Sequence, residues 1–323
     1  MYPADVSQDR PLDVFMAHMD VVFSDETELP LRVEDGRIYC PGVGDDTACL
    51  VCLLLAGKYI ARHVDSPSWR EIRGEDAPGL LLVCNAGEEG LGNLKGVRKI
   101  CEDYGGRIKS FCTFDSSLSS IVDRAVGSKR FRVKVRTRGG HSYNDFGNDN
   151  AIAGLASLVG KLYKIQVPEG GKTTYNVGMI SGGTSVNTIA QEAEMLYEFR
   201  SDKRENLEYM ERQFMEVLDR AKAEGMDVSF QVIGVRPCEG QVDPAQKQAL
   251  TDWAHWVVEE MTGQAPKHHA GSTDCNIPLS LGIPSVCVGS FRGAGAHTRE
   301  EYVETDSLEE GYKVAFGMIF GRR

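Results

Sequence analysis

The stretch VFMAHMD at residues 14–20 joins an apolar run to two polar side chains, His18 and Asp20. A short apolar run of this kind is typical of a strand buried inside a sheet. The pattern returns at 80–84, 111–114 and 283–288, where apolar runs lead into AGEEG, FDSS and GAHT. Because open α/β sheets form their ligand sites where the interior strands end, we expect these motifs to meet in one crevice.

The polar residues of these motifs, together with GVGDD at 42–46, are of types that bind metal ions. Two imidazoles and three carboxylates give a nitrogen and oxygen ligand set suited to zinc, with cobalt or manganese as substitutes. The candidate ligands are His18, Asp45, one of the pair Glu88 and Glu89, Asp115 and His297. The sequence therefore predicts a two-metal site. One carboxylate must bridge ions that lie about 3.5–4 Å apart, and Asp45 is the candidate.

Three further acidic residues beside these ligands have predicted roles. In the Glu88–Glu89 pair, the side chain that does not bind metal could take a proton from the attacking water. Asp20 lies two residues beyond His18, so on a strand it would share the face of the imidazole and orient it by a hydrogen bond. Asp46 is expected to cap the apolar helix that starts near Thr47.

Composition excludes several classes of protein. The chain has 323 residues and a net charge of -11, which argues against nucleic-acid binding. It has no apolar run of the ~18 residues that a membrane span requires, and its start does not read as a signal peptide. We expect a soluble, cytoplasmic protein with no membrane partner.

The nine cysteines indicate reduced thiols rather than a disulfide framework, because the number is odd and most lie in apolar segments. Examples are Cys52, Cys84, Cys112 and Cys287. Cys49 and Cys52 form a CxxC within an apolar helical run, so we interpret them as core residues.

The middle of the chain predicts a separate domain. Strands at 128–137, 173–181, 192–200 and 227–235 and helices at 150–166 and 204–223 follow the order β-α-β-β-α-β of a ferredoxin-like unit. The predicted insert is 125–238. The flanking segments 1–124 and 239–323 form the metal-binding domain, with helices at 47–63, 93–104, 245–262 and 306–320 over a largely parallel sheet.

The motif series resembles the co-catalytic dizinc exopeptidase and amidohydrolase family, which includes peptidase T, glutamate-releasing carboxypeptidases, dipeptidases and aminoacylases. The resemblance covers nearly the whole chain, and DFGNDNAI at 145–152 favours the peptidase T-like branch. It implies that His18 and Asp115 bind one zinc, that Glu89 and His297 bind the other, and that Asp45 bridges. Glu88 would then be the general base.

The resemblance also implies roles in the inserted domain. His141 of GGHSY would stabilise the tetrahedral oxyanion and Asn187 of GGTSVN would contact substrate, both in the neighbouring subunit of a homodimer formed by the inserted domains. Arg200 would hold a substrate carboxylate, although its context also permits an ordinary ion pair. Gly271 belongs to HHAGSTD at 268–274, which resembles the family's substrate loop and precedes an apolar strand. His268 and His269 are interpreted as surface residues.

The predicted function is zinc-dependent hydrolysis of amide bonds in short peptides, of aminopeptidase, dipeptidase or tripeptidase type. An N-acyl-amino-acid deacylase or a carboxypeptidase needs the same residues, and a catalytically inactive binding protein is the alternative from another class. Seventeen residues precede His18, where the family usually has a further helix and strand. Either the chain is truncated, in which case an exposed sheet edge would favour association, or the sheet has lost an edge.

Overall fold

The structure is a computed structural model that describes residues 9–23, 28–66, 74 and 77–321. The chain divides into two compact units. Unit 1 comprises Met1–Ala125 with Glu239–Arg323, and unit 2 comprises Val126–Cys238.

The elements are numbered in chain order. The strands are β1 (Leu12–His18), β2 (Arg32–Glu34), β3 (Arg37–Tyr39), β4 (Gly79–Asn85), β5 (Ile108–Phe114), β6 (Ser120–Ala125), β7 (Gly127–Arg136), β8 (Gly140–His141), β9 (Thr173–Gly182), β10 (Thr188–Ile189), β11 (Glu192–Ser201), β12 (Asp227–Arg236), β13 (Lys267–Gly271), β14 (Ser285–Val288), β15 (Gly293–Ala294) and β16 (Tyr302–Glu304). The α-helices are α1 (Cys49–His63), α2 (Lys95–Tyr104), α3 (Ala151–Leu162), α4 (Arg204–Ala223), α5 (Pro244–Thr262), α6 (Asn276–Ser280) and α7 (Ser307–Phe320).

Unit 1 is built on a largely parallel sheet with the order β13-β6-β14-β5-β1-β4. Strand β1 pairs in parallel with both β4 and β5, and β14 pairs in parallel with β5 and antiparallel with β6. A small antiparallel sheet, β15-β16-β3-β2, completes the unit. The carboxyl ends of β4, β1, β5 and β14 therefore lie along one edge of the large sheet.

Strand β1 is buried on both faces, which explains why its apolar run is continuous. Phe15 and Ala17 face one core cluster with α1, α5 and α7, while Val14 and Met16 face a second cluster with α2 and α6. Phe15 stacks on Phe114 of β5 with ring centroids 6.2 Å apart. Helices on both faces of a parallel sheet define an α/β unit, as predicted.

Unit 2 is a ferredoxin-like unit with a four-stranded antiparallel sheet in the order β12-β7-β11-β9. Its core consists of side chains from this sheet and from α3 and α4, among them Phe131, Tyr197 and Phe214. Tyr197 stacks on Phe214 at 5.5 Å. The predicted fold class, a largely parallel sheet with an inserted ferredoxin-like domain, is confirmed.

Two local predictions were wrong. Asp46 does not cap α1, which begins at Cys49 after a π-helical turn at Val43–Ala48. Its carboxylate instead accepts the backbone N–H of His18 at 2.9 Å, because the residue is buried beneath the end of β1. The stretch 268–274 is not a loop that leads directly into a strand: His268 to Gly271 belong to β13, and α6 comes before β14.

All nine cysteines are free thiols. Cys49 and Cys52 are buried in the core, as expected, whereas Cys84 is exposed because it lies near the end of β4 at the sheet edge. Among the described residues, none of the helices has the length and apolar character needed to cross a membrane.

Candidate metal centre

The predicted ligands of unit 1 lie together at the carboxyl edge of the large sheet. His18 is the last residue of β1, and Asp115 directly follows β5. Glu88 and Glu89 follow the neighbouring strand β4. Asp45 comes from the turn before α1, and His297 comes from the segment between β15 and β16.

Asp45 stands between the two histidines. Its Oδ1 lies 3.0 Å from Nε2 of His18, and its Oδ2 lies 3.0 Å from Nε2 of His297. Each carboxylate oxygen therefore faces a different imidazole, which is the arrangement that a carboxylate bridging two ions requires. The peptide bond that joins Asp45 to Asp46 is cis.

The remaining carboxylates divide between the two histidines. Oε1 of Glu89 lies 3.3 Å from Nε2 of His297, and Oδ1 of Asp115 lies 4.0 Å from Nε2 of His18. Potential metal ligands group as Asp45, Glu89 and His297 on one side. On the other side His18 groups either with Asp46 and Asp115 or with Glu88 and Glu89.

The electrostatics show an excess of negative charge. Burial and the charge of Glu88 raise the pKa of Asp115 well above its usual range. Burial and the Asp45 and Glu88 carboxylates raise the pKa of Glu89 to about 7. Burial opposes a charge on His18, but the hydrogen bond with Asp45 and nearby carboxylates raise its pKa to about 11. The cluster gains stability from added positive charge, which a dication supplies.

The donor set fits such ions. Nδ1 of His18 lies 2.9 Å from the backbone oxygen of Asp20, which can only accept, so Nδ1 carries a proton and Nε2 points to the centre. Oε1 of Glu89 is buried without a hydrogen-bond partner. Imidazole nitrogens with carboxylate oxygens and no thiolate suit zinc, cobalt or manganese.

Asp20 acts differently from the prediction. Its backbone oxygen, not its carboxylate, bonds the imidazole, since its Oδ1 lies 3.8 Å from Nδ1 of His18. β1 ends at His18, so Asp20 does not continue the strand. The carboxylate instead accepts the backbone N–H groups of Gly87, Glu88 and Glu89 at 2.8, 3.3 and 2.9 Å. Asp20 therefore holds the segment that carries the acidic pair.

Glu301 is a buried residue that sequence reasoning missed. Its carboxylate accepts the backbone N–H groups of Gly42, Gly44 and Asp45 at 2.6, 2.9 and 2.8 Å. Gly42 has a φ of 78°, and a Cβ there would lie 2.3 Å from Cγ1 of Val21. Only glycine fits, so this turn is held by both its shape and the Glu301 carboxylate.

A cavity of about 370 Å³ adjoins the centre. Asp45 and Asp115 line it together with Phe291 and a run of small residues at 293–296. His269 and Gly271 of β13 also line it, so this part of the HHAGSTD stretch borders the cluster. His268 lies elsewhere, beside His255.

In unit 2, His141 and Asn187 lie side by side. β8 and β10 pair so that His141 faces Thr188, and the backbone oxygen of Asn187 accepts the N–H of Ser142 at 3.0 Å. Nδ1 of His141 accepts the backbone N–H groups of Tyr143 and Asn144 at 3.2 and 3.4 Å. Because Nδ1 accepts, the ring proton of the neutral imidazole is on Nε2.

Arg200 forms an ion pair within its own strand. Its Nε and one terminal nitrogen donate to the two carboxylate oxygens of Glu198 at 2.9 and 3.2 Å. The planar fork that was predicted to hold a substrate carboxylate thus binds a carboxylate of the protein itself. Of the two readings that its context permitted, this is the ordinary ion pair.

The imidazoles and carboxylates gathered at the carboxyl edge of a parallel sheet form a candidate centre for metal ions. The chain belongs to the Peptidase family M20/M25/M40, whose family model matches residues 14–320. The resemblance drawn from the motifs is thereby confirmed. The protein is a hydrolase of amide bonds, and its family is metal-dependent.

Three similar proteins illustrate the range of activities for which relatives of this chain are named. The succinyl-diaminopimelate desuccinylase of Nitrosomonas eutropha is 24% identical, over 93% of this chain and 80% of that protein. The crystal structure of aminopeptidase PepT from Bacillus cereus superimposes with a TM-score of 0.68 and 22% identity over 97% of this chain and 81% of its own. The crystal structure of a tripeptidase from Staphylococcus aureus superimposes with a TM-score of 0.71 and 22% identity over 96% of this chain and 80% of its own.

We predict that Glu301→Ala weakens metal binding without removing a ligand. The substitution leaves three backbone N–H groups of the Asp45 turn without their acceptor, so the turn should no longer hold Asp45 in place. Loss of such an outer contact typically lowers metal affinity about 10–100-fold. Competition with a chromophoric chelator measures the affinity.

The neighbouring Glu300 supplies a matched control, because its side chain is 80% exposed. Glu300→Ala should bind metal as wild type does. A folded Glu301→Ala protein, verified by circular dichroism, that binds metal with wild-type affinity would contradict the role given to Glu301.

Proposed function

We propose that this protein is a zinc-dependent exopeptidase that hydrolyses short peptides, of aminopeptidase, dipeptidase or tripeptidase type. The observation that carries the proposal is the position of Asp45, whose two oxygens each lie 3.0 Å from a different histidine. Zinc ions held by His18, Asp115 and Asp45 and by Glu89, His297 and Asp45 would polarise the scissile carbonyl and acidify the attacking water.

Glu88 is the proposed general base. It is buried, and it comes from the segment that Asp20 fixes by three backbone hydrogen bonds. A carboxylate held in this way takes the proton of the water and passes it to the leaving amine. Its neighbour Glu89 faces His297 and is the ligand of the pair.

His141 is the proposed oxyanion-binding residue. Its Nδ1 accepts two backbone N–H groups, so its Nε2–H is available to donate to a developing negative charge. Asn187, on the adjoining segment, would contact substrate. Gly271, at the cavity beside Asp45, would line the substrate site. The guanidinium of Arg200 already donates to Glu198, so it could bind a substrate carboxylate only while also holding that side chain.

We further propose that the protein forms a homodimer through unit 2 and that His141 acts in the partner's site. Strand β9 lies at the edge of its sheet. Two of its apolar residues are exposed to solvent, Met179 to 65% and Ile180 to 57%. An edge strand with exposed apolar side chains is a ready surface for pairing with a second copy. The nine free thiols are in keeping with a cytoplasmic location.

Deacylation of N-acyl amino acids is the second candidate. It breaks the same type of bond with the same residues, and the relative from Nitrosomonas eutropha is named a desuccinylase. A carboxypeptidase activity is a further candidate, because it also hydrolyses an amide bond with these residues. An inactive binding protein is disfavoured, because all the candidate ligands and Glu88 are present.

We predict that the purified protein binds close to two zinc-type ions per chain. The clustered carboxylates need dications to offset their charge, so a chelator should abolish hydrolysis and added zinc, cobalt or manganese should restore it. Metal analysis gives the stoichiometry. Hydrolysis of a panel of di- and tripeptides and N-acyl amino acids by the zinc-loaded protein separates the two candidate substrates. A chain that binds no metal at micromolar zinc would exclude the hydrolase mechanism.

Glu88→Gln should keep both ions and lose most of its turnover. The amide preserves the shape of the side chain but cannot accept a proton, and loss of a general base costs about 10²–10⁴-fold. Metal analysis and kcat are measured on the same preparation. If Glu88→Gln loses metal while Glu89→Gln retains it, the two roles are reversed.

An inactive Glu88→Gln chain and an inactive His141→Ala chain should restore activity when their subunits exchange. If His141 acts in trans, each mixed dimer has one site with both defects and one with neither. Random pairing makes half of the dimers mixed, so activity should approach about a quarter of wild type. Subunit exchange is monitored with two affinity tags. Verified exchange without activity would show that His141 does not serve the partner's site.

A further inference from the structure

A second pair of histidines lies in unit 1, His255 on α5 and His268 on β13. Nδ1 of His255 and Nε2 of His268 are 2.8 Å apart. The rings are nearly parallel, with centroids 5.1 Å apart and an interplanar angle of 15°. Neither residue is among the candidate ligands of the catalytic centre.

Each imidazole has a carboxylate near its outer nitrogen. Oδ2 of Asp123 lies 2.9 Å from Nδ1 of His268, and Oε2 of Glu259 lies 3.7 Å from Nε2 of His255. A carboxylate beside one ring nitrogen draws the proton to that nitrogen, so the other presents its lone pair. Histidines that bind metal in proteins are commonly oriented by a carboxylate in this way.

Because His268 keeps its proton on Nδ1 toward Asp123, the 2.8 Å contact between the inner nitrogens holds one proton, which His255 carries on Nδ1. If His255 places its proton on Nε2, toward Glu259, both inner nitrogens present lone pairs to the space between them. A metal ion bound tetrahedrally at about 2.1 Å from each nitrogen needs them roughly 3.4 Å apart. At present the two nitrogens point at each other along the line of the ring centres, 2.8 Å apart, so the rings must turn as well as separate to converge on one ion. Both side chains are about one-third exposed, at 35% and 30%, which leaves them room to do so.

The surroundings suit a cation with additional water ligands. Both histidines and Asp123 line a cavity of about 570 Å³ that Asp252 and Glu239 also line. The positive charges beside it are already paired with carboxylates. Lys247 donates to Glu239 at 2.6 and 2.7 Å, and Arg124 donates to Asp123 at 3.3 Å.

We propose that His255 and His268 form a second metal site, which binds one borderline transition-metal dication such as Zn²⁺, Ni²⁺ or Cu²⁺ through their inner nitrogens. Two imidazoles with water select this class of ion over Mg²⁺ or Ca²⁺, which prefer oxygen ligands. Asp123 is a positioning residue, because its contact is with His268 rather than with the ion.

The test uses Ni²⁺ as the probe on full-length protein whose catalytic centre has first been filled with zinc. Calorimetric titration should show one further equivalent of Ni²⁺ per chain, and metal analysis afterwards should show that zinc is retained. His255→Gln and His268→Gln should each abolish the additional binding. Asp123→Asn should weaken it about 10–100-fold while keeping the stoichiometry.

His63 provides the matched control. It is a histidine near the end of α1 whose Nδ1 bonds the backbone oxygen of Tyr59, so His63→Gln should bind Ni²⁺ as wild type does. Circular dichroism verifies that each variant is folded. Failure of the wild-type protein to bind the additional ion, or unchanged binding in both His255→Gln and His268→Gln, would overturn the proposal. Neither result bears on the catalytic centre, which stays filled with zinc.

Discussion

Negative charge gathered around the buried His18 is the constraint on which the site depends. Asp45, Asp46, Asp115 and Glu88 all raise the pKa of this imidazole. Three acidic side chains of the cluster, Asp46, Asp115 and Glu89, have raised pKa values themselves. Carboxylates placed so close together repel one another unless a positive charge lies among them. The parallel sheet brings part of the cluster together, because β1, β4 and β5 end at the same edge, and the turn before α1 adds Asp45 and Asp46. Metal binding and the stability of this edge are therefore linked.

Two further carboxylates keep that cluster in shape without joining it. Asp20 accepts three backbone N–H groups from the segment of Glu88 and Glu89, and Glu301 accepts three from the turn of Asp45. A carboxylate that receives several N–H groups is well stabilised as an anion. The candidate metal ligands thus project from a main chain that is itself held by charge-assisted hydrogen bonds.

Much of the fold could be predicted from the sequence, because strand burial leaves a local pattern. The run before His18 is apolar throughout since β1 packs on both faces, and the polar residue that ends each run is brought to the sheet edge. The unit 2 elements were likewise visible in their periodicity. Glu301 left no such signal, since its partners at 42–45 are remote in sequence. The pairing of Glu198 with Arg200 was detectable, because residues two apart on a strand share a face. The His255–His268 pair depends on how α5 packs beside β13, which no local pattern reveals.

The position of β14 has a consequence for how the chain acquires its structure. This strand lies between β5 and β6, although it follows both of them by more than the length of unit 2. Before β14 is synthesised, β5 and β6 lack the strand that lies between them in the folded sheet. Unit 2, whose pairings all lie within its own segment, can close first. Completion of the large sheet then depends on contacts of long sequence separation, which form slowly. Until β14 is inserted, the exposed edges of β5 and β6 are the part of the nascent molecule that a chaperone would need to shield.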